Sequence, residues 1–510
     1  MIYIGFFKSL KVMHEVPVIK SVLYVELITS EGERITGGKF GVGNGKCNGV
    51  LNIPSQIVSG VYYLKSYTRV MRNFCPEAFD YVAIKIVNPD KSEIRTISNS
   101  ENACKATIVK LESAGGIRME VGKAEYSRRQ DVEVAVAFEG YTAENVMKLS
   151  LSVVPAAACK QEFIALKNEN CTGVNTVFYQ ESKGITLTGK VVDEKTKKLL
   201  VNKRVNLSIL GTKDFLAMNT DSSGRFFFAL PDLSSKHDLF ISVAETEGIK
   251  AAVLVDNDFG LNPSCLPFVP LQLSNDERLT AYNLTVNQKV AGAFFDQRLN
   301  DSVSGFAPRE AFYGKPSQTL VIDKYIQLPS LEEYLNELPF LVKVRKQNHR
   351  KYFKVFGKQA EMEIYPPLVL VDFVAMDDPE RVLAVSPAAI QKIELVNEPY
   401  YRGNMVYGGI VSIISKKNDF AGVDLPSAGM FINYEFYNRS AVVASHVPTN
   451  DHLPDARNTL LWIPDLKLNA DGQQHISFST ADMPGTYSVV LKGVTISGEI
   501  IFSKVDFIVK

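Results

Sequence analysis

The chain has 510 residues, of which 46% are hydrophobic, 10% aromatic and 22% charged. At roughly 150 residues per domain this length predicts several domains, and the apolar content excludes a disordered or collagen-like chain. Lys plus Arg number 56, and Asp plus Glu also number 56. Because there is no basic excess to attract phosphate groups, we expect no nucleic-acid partner.

No run of apolar residues reaches the length of about 18 that a membrane-spanning helix needs, so we expect no transmembrane segment in this chain. Residues 2–7 are mostly apolar, but Lys8 and Glu15 follow them without a small-residue cleavage site, so the start predicts no signal peptide. The six cysteines include no CxxC pair, which excludes the usual zinc and dithiol spacings. Cys159 and Cys171 are close enough in sequence for a disulfide in an oxidising compartment, and free buried thiols are the favoured alternative.

Alternation of apolar and polar residues with a period of two dominates the chain and predicts half-buried strands. The clearest example lies at 131–139, and its apolar residues are Val132, Val134, Val136 and Phe138. Similar short runs recur at 23–27, 149–153 and 205–209, with Gly, Asn, Asp or Ser between them. Regular short strands of this kind indicate all-β modules.

Changes in this pattern divide the chain into consecutive parts. The predicted parts are a first β-sandwich at 1–90, a second at 91–183, a third at 184–256, a linking or wrapping segment at 257–315, an α+β module at 316–417 and a last β-sandwich at 418–510. The segment at 257–315 carries several prolines and little periodicity, which is typical of a connection.

Two patterns predict short helices within residues 316–417. Ser330 and Glu333 have the spacing of a capping box, and Pro387 follows Ser386 at the first position of a second helix. The apolar residues expected to cover the sheet of this module are Leu331, Leu335, Leu338 and Ile390, and those expected in the sheet are Val369, Val371, Ile393 and Ile413. We expect the module to fold by itself and to leave one face or edge for a partner.

Four stretches resemble known families of the bacterial cell envelope. Residues 60–68, Gly-Val-Tyr-Tyr-Leu-Lys-Ser-Tyr-Thr, with 71–74, Met-Arg-Asn-Phe, resemble the macroglobulin-type β-sandwich of large envelope proteins from Bacteroides-like bacteria, in a form shortened at its N-terminal end. Residues 459–464 and 483–487 resemble a further macroglobulin-like sandwich. Residues 188–193 with 221–226 resemble the carboxypeptidase regulatory-like domain, a small transthyretin-like sandwich without catalytic residues.

The fourth resemblance lies in the α+β part. Residues 367–372, 387–394 and 407–413 are similar to the plug domain of TonB-dependent outer-membrane receptors, although Phe373 stands where that family usually carries a glycine. Together the residues and the resemblances predict a mainly β fold of serial β-sandwich domains, macroglobulin- or immunoglobulin-like, with one α+β plug-like domain. The resemblances imply a location in the periplasm or at the outer membrane.

Few patterns point to chemistry. Residues 45–49, Gly-Lys-Cys-Asn-Gly, match a nucleophile elbow with Cys47 in place of serine, but the predicted context is a hairpin between strands, so a glycine-rich turn is the favoured interpretation. No cysteine precedes a glycine, as the Cys-Gly-Glu-Gln thioester of protease-trapping macroglobulins requires, so we expect no covalent trapping. The six histidines form no HExxH motif, and an acidic group at Asp372, Asp377, Asp378 and Glu380 lacks the glycines of a calcium loop, so surface positions and a solvated turn are expected.

A basic stretch interleaved with aromatic residues supplies the candidate binding residues. Its members are Lys343, Arg345, Lys346, Arg350, Lys351 and Lys354, with Tyr352 and Phe353 among them. A single-stranded nucleic-acid surface and lysine-protected strand edges both give this pattern, and the zero net charge favours the strand edges. We predict that Lys343, Arg345, Arg350 and Lys354 bind a partner.

These observations predict a non-enzymatic cell-envelope protein that binds or scaffolds other proteins. We expect no cofactor, no catalytic residues and no metal ligands, and a protein partner in the envelope, for which an outer-membrane barrel is one candidate. The alternative is an accessory component of TonB-dependent outer-membrane nutrient uptake. A hydrolase is a third hypothesis, which depends only on the pattern around Cys47.

Overall fold

A computed structural model describes most of the chain. The described residues are 2–7, 21–43, 46–74, 78–96, 105–109, 116–142, 146–159, 162–167, 177–245, 249–260, 266–294, 310–403, 405–438, 452–469, 472–497 and 499–510. They form many short antiparallel sheets and few helices, so the prediction of a mainly β chain is confirmed. No helix among them is both long and apolar enough to cross a membrane.

The strands of the first half of the chain are β1 Ile2–Phe7, β2 Ser21–Ile28, β3 Arg34–Val42, β4 Lys46–Leu51, β5 Gly60–Thr68, β6 Asp80–Ile86, β7 Lys105–Val109, β8 Ile117–Val121, β9 Glu125–Tyr126, β10 Asp131–Phe138, β11 Val146–Pro155, β12 Glu162–Lys167, β13 Thr186–Asp193, β14 Arg204–Ile209, β15 Asp214–Asn219, β16 Arg225–Ala229, β17 Lys236–Val243 and β18 Ala251–Val255.

The strands of the second half are β19 Gln318–Val321, β20 Val342–Gln347, β21 Arg350–Val355, β22 Leu368–Val371, β23 Val374–Ala375, β24 Ile390–Val396, β25 Tyr400–Arg402, β26 Met405–Tyr407, β27 Ile410–Ser415, β28 Met430–Glu435, β29 Leu461–Leu466, β30 Gln473–Ser479, β31 Gly485–Thr495 and β32 Ile500–Val509. The α-helices are α1 Asn275–Phe294, α2 Leu331–Glu337, α3 Glu361–Ile364 and α4 Pro379–Leu383.

Strand pairing groups these elements into units. The first β unit has the sheet β3-β2-β5-β6-β12-β7 and the pair β1-β4; the central β unit has the sheets β16-β13-β18 and β15-β14-β17-β28. The α+β unit has the sheet β19-β24-β27-β22-β23 with the hairpins β20-β21 and β25-β26, and the end β unit has the sheets β30-β10-β8 and β29-β11-β31-β32-β9.

The end β unit joins residues from distant parts of the chain. Strand β10 buries the predicted apolar face, and it pairs with β30 so that Val134 lies opposite Ile476. Strand β11 pairs with both β29 and β31. The structure therefore differs from the predicted division, because strands from the predicted parts 91–183 and 418–510 share sheets and one core. Local alternation shows that a strand is half buried but not which distant strand pairs with it.

The central β unit is also completed from a distance. Strand β28 pairs with β17, with Leu239 opposite Ile432, so residues beyond the predicted boundary at 417 extend the sheet of the predicted part 184–256. The chain therefore leaves the central β unit after β18 and returns to it at β28. The α+β unit is an insertion between these two strands.

Helix α1 lies within the predicted linking segment 257–315 and has 20 residues. Its N-terminus has a reciprocal capping box, in which the Ser274 amide donates to Glu277 Oε2 at 2.8 Å and the Glu277 amide donates to Ser274 Oγ at 3.3 Å. Lys85 of the first β unit binds Glu277 at 2.9 Å, and Asn287 donates to Asn458 of the end β unit at 3.0 Å. The helix thus connects two units.

The α+β unit covers one face of its sheet with helices. The Glu333 amide donates to Ser330 Oγ at 3.3 Å, which is one of the two bonds of the predicted capping box, and α2 follows; the Glu333 carboxylate accepts from the Ser330 hydroxyl at 3.2 Å in place of the Ser330 amide. The predicted covering and sheet residues pack in one core, with Leu338 partly buried beside it. The second predicted helix differs: residues 387–389 form a single 3₁₀ turn, and the α-helix lies earlier, at α4, because Asp378 caps it and Pro379 opens it.

The opposite face of this sheet is covered by the central β unit, so of the predicted free face or edge only the edge stays a prediction. Leu368, Leu370 and Ile410 pack against Phe215 and Ala217 of β15. The outward polar residues of β14 contact the same unit, since Ser208 Oγ donates to the Phe373 carbonyl at 2.8 Å and Arg204 forms a salt bridge with Asp377. The sheet of the α+β unit therefore has two apolar faces, one packed against its own helices and the other packed against the central β unit.

A buried ionic seam joins the first and central β units. Two ion pairs cross between the units, Lys39 with Asp258 at 2.5 Å and Arg69 with Glu181 at 3.7 Å, and a third, Lys65 with Glu26 at 3.1 Å, lies within the first β unit. Each of these six side chains is buried. Burial lowers the pKa of Lys39 and of Lys65, and the carboxylate partners oppose that effect.

Tyrosine hydroxyls complete the seam. Tyr24 donates to Glu181 at 2.9 Å, Tyr67 donates to Glu26 at 2.7 Å, and Tyr434 donates to Asp258. Burial raises the pKa of all three tyrosines well above the ordinary value, so they remain donors at neutral pH. Each carboxylate of the seam thus has a cation and a neutral donor as partners, and both partners of Asp258 bind its Oδ2 while its buried Oδ1 accepts no hydrogen bond from the described residues.

The seam should make stability depend on pH through Glu181. Burial raises its pKa to about 7 from an ordinary 4.5, although the Thr186 amide and Arg69 act in the opposite direction. The folded protein therefore holds the proton of the Glu181 carboxyl more tightly than the unfolded chain does. This group stabilises the fold fully below about pH 4.5, and its contribution of about 3 kcal/mol is lost as the pH rises through about 7.

In urea unfolding between about pH 5 and pH 8, Glu181→Gln should therefore have a flatter profile than the parent protein. The matched control is Glu133→Gln at an exposed position of β10, which should keep the parent profile. Identical profiles for the parent and Glu181→Gln would contradict this role of Glu181.

The packing of the α+β unit on the central β unit gives a second prediction. Phe215 is fully buried between them, whereas Phe227 of the same unit is 58% exposed. We expect Phe215→Ala to lower the free energy of unfolding by about 3 to 5 kcal/mol, and Phe227→Ala to change it by less than about 0.5 kcal/mol. Urea unfolding of the two variants measures the difference. If Phe215→Ala lowers the free energy of unfolding by as little as Phe227→Ala, the interface contributes little to stability.

Candidate functional site

The predicted binding residues lie on the hairpin formed by β20 and β21. Asn348 and His349 connect the strands with φ of +48° and +63°, which is the two-residue turn with positive φ at both positions that matches the twist of a hairpin. Val344 lies opposite Phe353, and both side chains are buried in the core of the α+β unit. Because side chains alternate, the odd-numbered residues of β20 and the even-numbered residues of β21 point outward.

All four predicted residues share this outward face of the hairpin. Lys343 lies opposite Lys354, Arg345 lies opposite Tyr352, and Arg350 lies opposite Gln347 at the turn. Arg345 and Arg350 are exposed, whereas Lys343 and Lys354 are half-buried. The structure thus brings the predicted residues together on one surface.

The two lysines have structural roles on this face. Lys343 Nζ donates to the Asn336 carbonyl in the last turn of α2, and Lys354 Nζ contacts Glu363 Oε2 at 2.5 Å and the Met362 carbonyl at 3.1 Å. A lysine at the end of a helix satisfies carbonyls that have no partner within the helix. These contacts fix the hairpin on α2 and α3 and leave the arginines as its exposed cations.

The inward face of the turn is also held in place. Lys351 Nζ binds Glu332 of α2 at 2.8 Å and lies 3.6 Å from Glu380 of α4. The hydrogen bond to Glu332 raises the pKa of Lys351. The hairpin therefore contacts the three helices α2, α3 and α4, and these contacts fix the position of the backbone that carries its outward side chains.

Exposed aromatic and aliphatic side chains continue this surface beyond the basic residues. Their exposed fractions are 38% for Tyr352, 38% for Phe356, 70% for Ile364, 40% for Tyr365 and 60% for Tyr401. The contact of Lys354 with Glu363 joins the hairpin to α3, and Tyr401 donates to Glu361 of α3 at 3.2 Å. We call Arg345, Arg350, Tyr352, Phe356, Ile364, Tyr365 and Tyr401 the hairpin surface.

Sequence reasoning missed the part of this surface outside the hairpin. Ile364 and Tyr365 come directly before Pro366 and Pro367, where no periodic element continues, and Tyr401 lies in a short hairpin. The sequence did contain one signal for exposed apolar side chains, which is the position of Ile364 and Tyr365 directly before a proline pair. The prolines end any helix there, so these two residues cannot continue an apolar helix face into a core.

Cys47 has the environment of a packing residue. It lies within strand β4, opposite Phe6 of β1, and not at a strand-to-helix turn. It is buried in a core of the first β unit. Burial raises the pKa of its thiol to about 11, against the nearby charge of Lys148. Gly45 of the motif lies outside the described residues.

The other candidate ligands are dispersed. In the described part of the chain, no three His, Cys, Asp or Glu side chains are arranged to hold a metal ion. The residues of the predicted acidic turn have separate partners: Asp372 accepts from the Phe420 amide at 2.8 Å, Asp378 accepts from the Glu380 amide at 3.0 Å, and Asp377 pairs with Arg204. His14, His446 and four of the cysteines, Cys171 included, lie outside the described residues, so the possible disulfide with Cys159 stays a prediction.

Comparison with known proteins gives only distant structural similarity. No protein-family model and no curated protein sequence matches the chain. The native form of Escherichia coli alpha-2-macroglobulin is 9% identical with a TM-score of 0.20, and its trypsin-activated form is 9% identical with a TM-score of 0.19. Both matches cover 97% of this chain, which spans 38% and 39% of the length of those proteins.

A tetra-tandem repeat from the extending region of a large adhesion protein is 7% identical with a TM-score of 0.11, over 96% of this chain and 92% of that one. The resemblance to a bacterial macroglobulin is therefore weak, and it carries no statement about what the chain binds. The plug-like and regulatory-like resemblances stay predictions from the sequence.

The environment of Cys47 predicts slow modification of its thiol. A pKa about two units above the ordinary value of 9.0 lowers the thiolate fraction about 100-fold, and burial adds a steric barrier. Iodoacetamide labelling of the native protein, followed by peptide mass spectrometry, should therefore label Cys47 at least about 100 times more slowly than the same peptide after unfolding. Equally fast labelling in both states would restore the nucleophile hypothesis.

Proposed function

We propose that the chain is a non-enzymatic protein of the cell envelope that binds another protein through the hairpin surface. In this proposal the β units are macroglobulin-like sandwiches that form a scaffold, and the α+β unit is a plug-like recognition domain. The observation that carries the proposal is the hairpin surface itself, where exposed arginines and aromatic side chains stand on a rigidly held hairpin. The envelope location is supported by the resemblance of 60–68 and 367–372 to envelope families.

The composition of this surface is typical of a protein interface. Arginine and aromatic residues contribute most of the binding free energy in protein interfaces, and exposed lysine and glutamate contribute least. The surface follows that pattern, because Lys343, Lys354 and Glu363 are engaged with one another or with backbone carbonyls, and Arg345 remains exposed opposite Tyr352.

The scaffold supports recognition by keeping the surface rigid. Lys351, Lys343 and Lys354 tie the hairpin to the helices, and Phe215 packs the α+β unit against the central β unit. A surface held in its binding conformation loses less conformational entropy when the partner binds.

An accessory role in TonB-dependent outer-membrane uptake is the second candidate, because the plug-like resemblance lies in the same unit. In that role the partner would be an outer-membrane barrel or its energising protein. Both candidates use the same surface, so the identity of the partner separates them.

Photo-cross-linking tests the proposal. We expect the full chain with benzoylphenylalanine in place of Tyr352, expressed in its native host, to cross-link to a discrete protein, and the same replacement at Tyr282 on α1, which is 67% exposed, to give no such product. In the Tyr352 background, Arg345→Glu with Arg350→Glu should reduce the yield of that product at least about tenfold, because charge reversal at an interface costs more than about 1.4 kcal/mol.

The matched control reverses two exposed cations of the end β unit, Lys123→Glu with Arg128→Glu, and should keep the yield. Equal yields from the two double variants, or equal products at positions 352 and 282, would contradict the proposal. A cross-linked outer-membrane barrel would favour the uptake role over a general scaffold.

A further inference from the structure

We infer that the hairpin surface binds an extended protein segment that is acidic at one end and aromatic or aliphatic at the other. This inference rests on the proposed function and adds the chemistry and the direction of the partner. It follows from the unequal distribution of charge and apolar area along the surface.

The turn end of the surface is cationic. Arg345 and Arg350 are exposed there, and the exposed Lys346 lies beside them on the inward face of the hairpin, opposite Lys351. Neither Arg345 nor Lys346 forms a salt bridge with a carboxylate in the part of the chain that the structure describes. Arginine binds carboxylates through two parallel hydrogen bonds, so this end suits aspartate or glutamate side chains.

The α3 end of the surface is mainly apolar. Ile364, Tyr365 and Tyr401 expose most of the apolar area there. The two carboxylates of this end are already engaged, since Glu363 binds Lys354 and Glu361 accepts from Tyr401. An acidic side chain gains no partner from Lys354, because Glu363 already binds that lysine, whereas an aromatic or aliphatic side chain finds exposed rings to pack against.

The length of the hairpin limits the length of the occupant. Residues 350–356 make six steps along the strand, which at about 3.3 Å per step separate the two ends by about 20 Å. An extended segment of about six to eight residues spans that distance. Tyr352 lies between the ends and Phe356 lies at the α3 end, and both provide apolar contacts along the path.

A nucleic acid is a weaker match to the same surface. The chain has no net charge, and two carboxylates lie at the apolar end, where they would face a phosphate backbone. Nucleic acid is therefore included in the test as a competing ligand and not as a second proposal.

Fluorescence anisotropy with the full chain and labelled polymers tests the inference. The probes are a random copolymer of glutamate and tyrosine, polyglutamate, a random copolymer of lysine and tyrosine, and oligo(dT). We expect the glutamate–tyrosine copolymer to bind at least about tenfold more tightly than polyglutamate, and the lysine–tyrosine copolymer and oligo(dT) to bind more weakly still.

Variants locate the binding. Arg345→Glu with Arg350→Glu should weaken binding of the glutamate–tyrosine copolymer at least about tenfold, and Tyr352→Ala with Tyr401→Ala should remove its advantage over polyglutamate. The control Lys123→Glu with Arg128→Glu should bind like the parent protein. The urea unfolding midpoint of each variant shows whether it is folded, and the exposed positions of the arginines favour an unchanged midpoint.

The results separate this inference from the proposed function. If the copolymer binds the arginine variant as tightly as the parent, or if oligo(dT) binds more tightly than the copolymer, the acidic-segment inference is wrong. If cross-linking at position 352 still gives a discrete protein in that case, the proposed function stands with a partner of different chemistry. If cross-linking also fails, both are wrong.

Discussion

The rest of the structure depends on the buried ionic seam between the first and central β units. Taking charged groups out of water costs several kcal/mol for each ion, and the ion pairs return that free energy only in one geometry. Between the two units, Asp258 pairs with Lys39, and Glu181 pairs with Arg69 and accepts from Tyr24. A shifted arrangement of the two units would leave a charge buried without a partner, which costs about 3 to 5 kcal/mol, so the seam specifies the relative position of the units more than it adds stability.

A fixed central β unit in turn positions the recognition surface. Its four-stranded sheet has the apolar residues Leu207 and Ile209 in one core, and its opposite face carries Arg204 and Ser208 toward the α+β unit. The α+β unit uses both faces of its own sheet in the same way. The first β unit therefore positions the central β unit, and the central β unit positions the α+β unit. The hairpin surface lies on the α+β unit.

The sequence predicted local features well and long-range pairing poorly. The alternation of Val132, Val134 and Val136 and the helix cap at Ser330 report interactions within a few residues, and both appear in the structure. The pairing of β10 with β30 depends on residues more than 300 positions apart, and nothing in local alternation encodes it. The same distinction holds for the site: the alternation of the hairpin placed the four basic residues on one face, whereas Tyr401 joined them only through tertiary contacts.

The nested pairing of strands has a consequence for biosynthesis. Strand β17 ends at Val243, and its partner β28 begins at Met430, so the 186 residues 244–429 lie between them. At about 5 to 20 residues per second, a ribosome needs roughly 10 to 40 s to supply the missing strand. During that interval the nascent chain presents an unpaired edge whose Leu239 and Ile241 belong to the core, and such an edge is a template for association with other chains. Synthesis of this protein should therefore depend on chaperones that bind β17 until the C-terminal third has emerged.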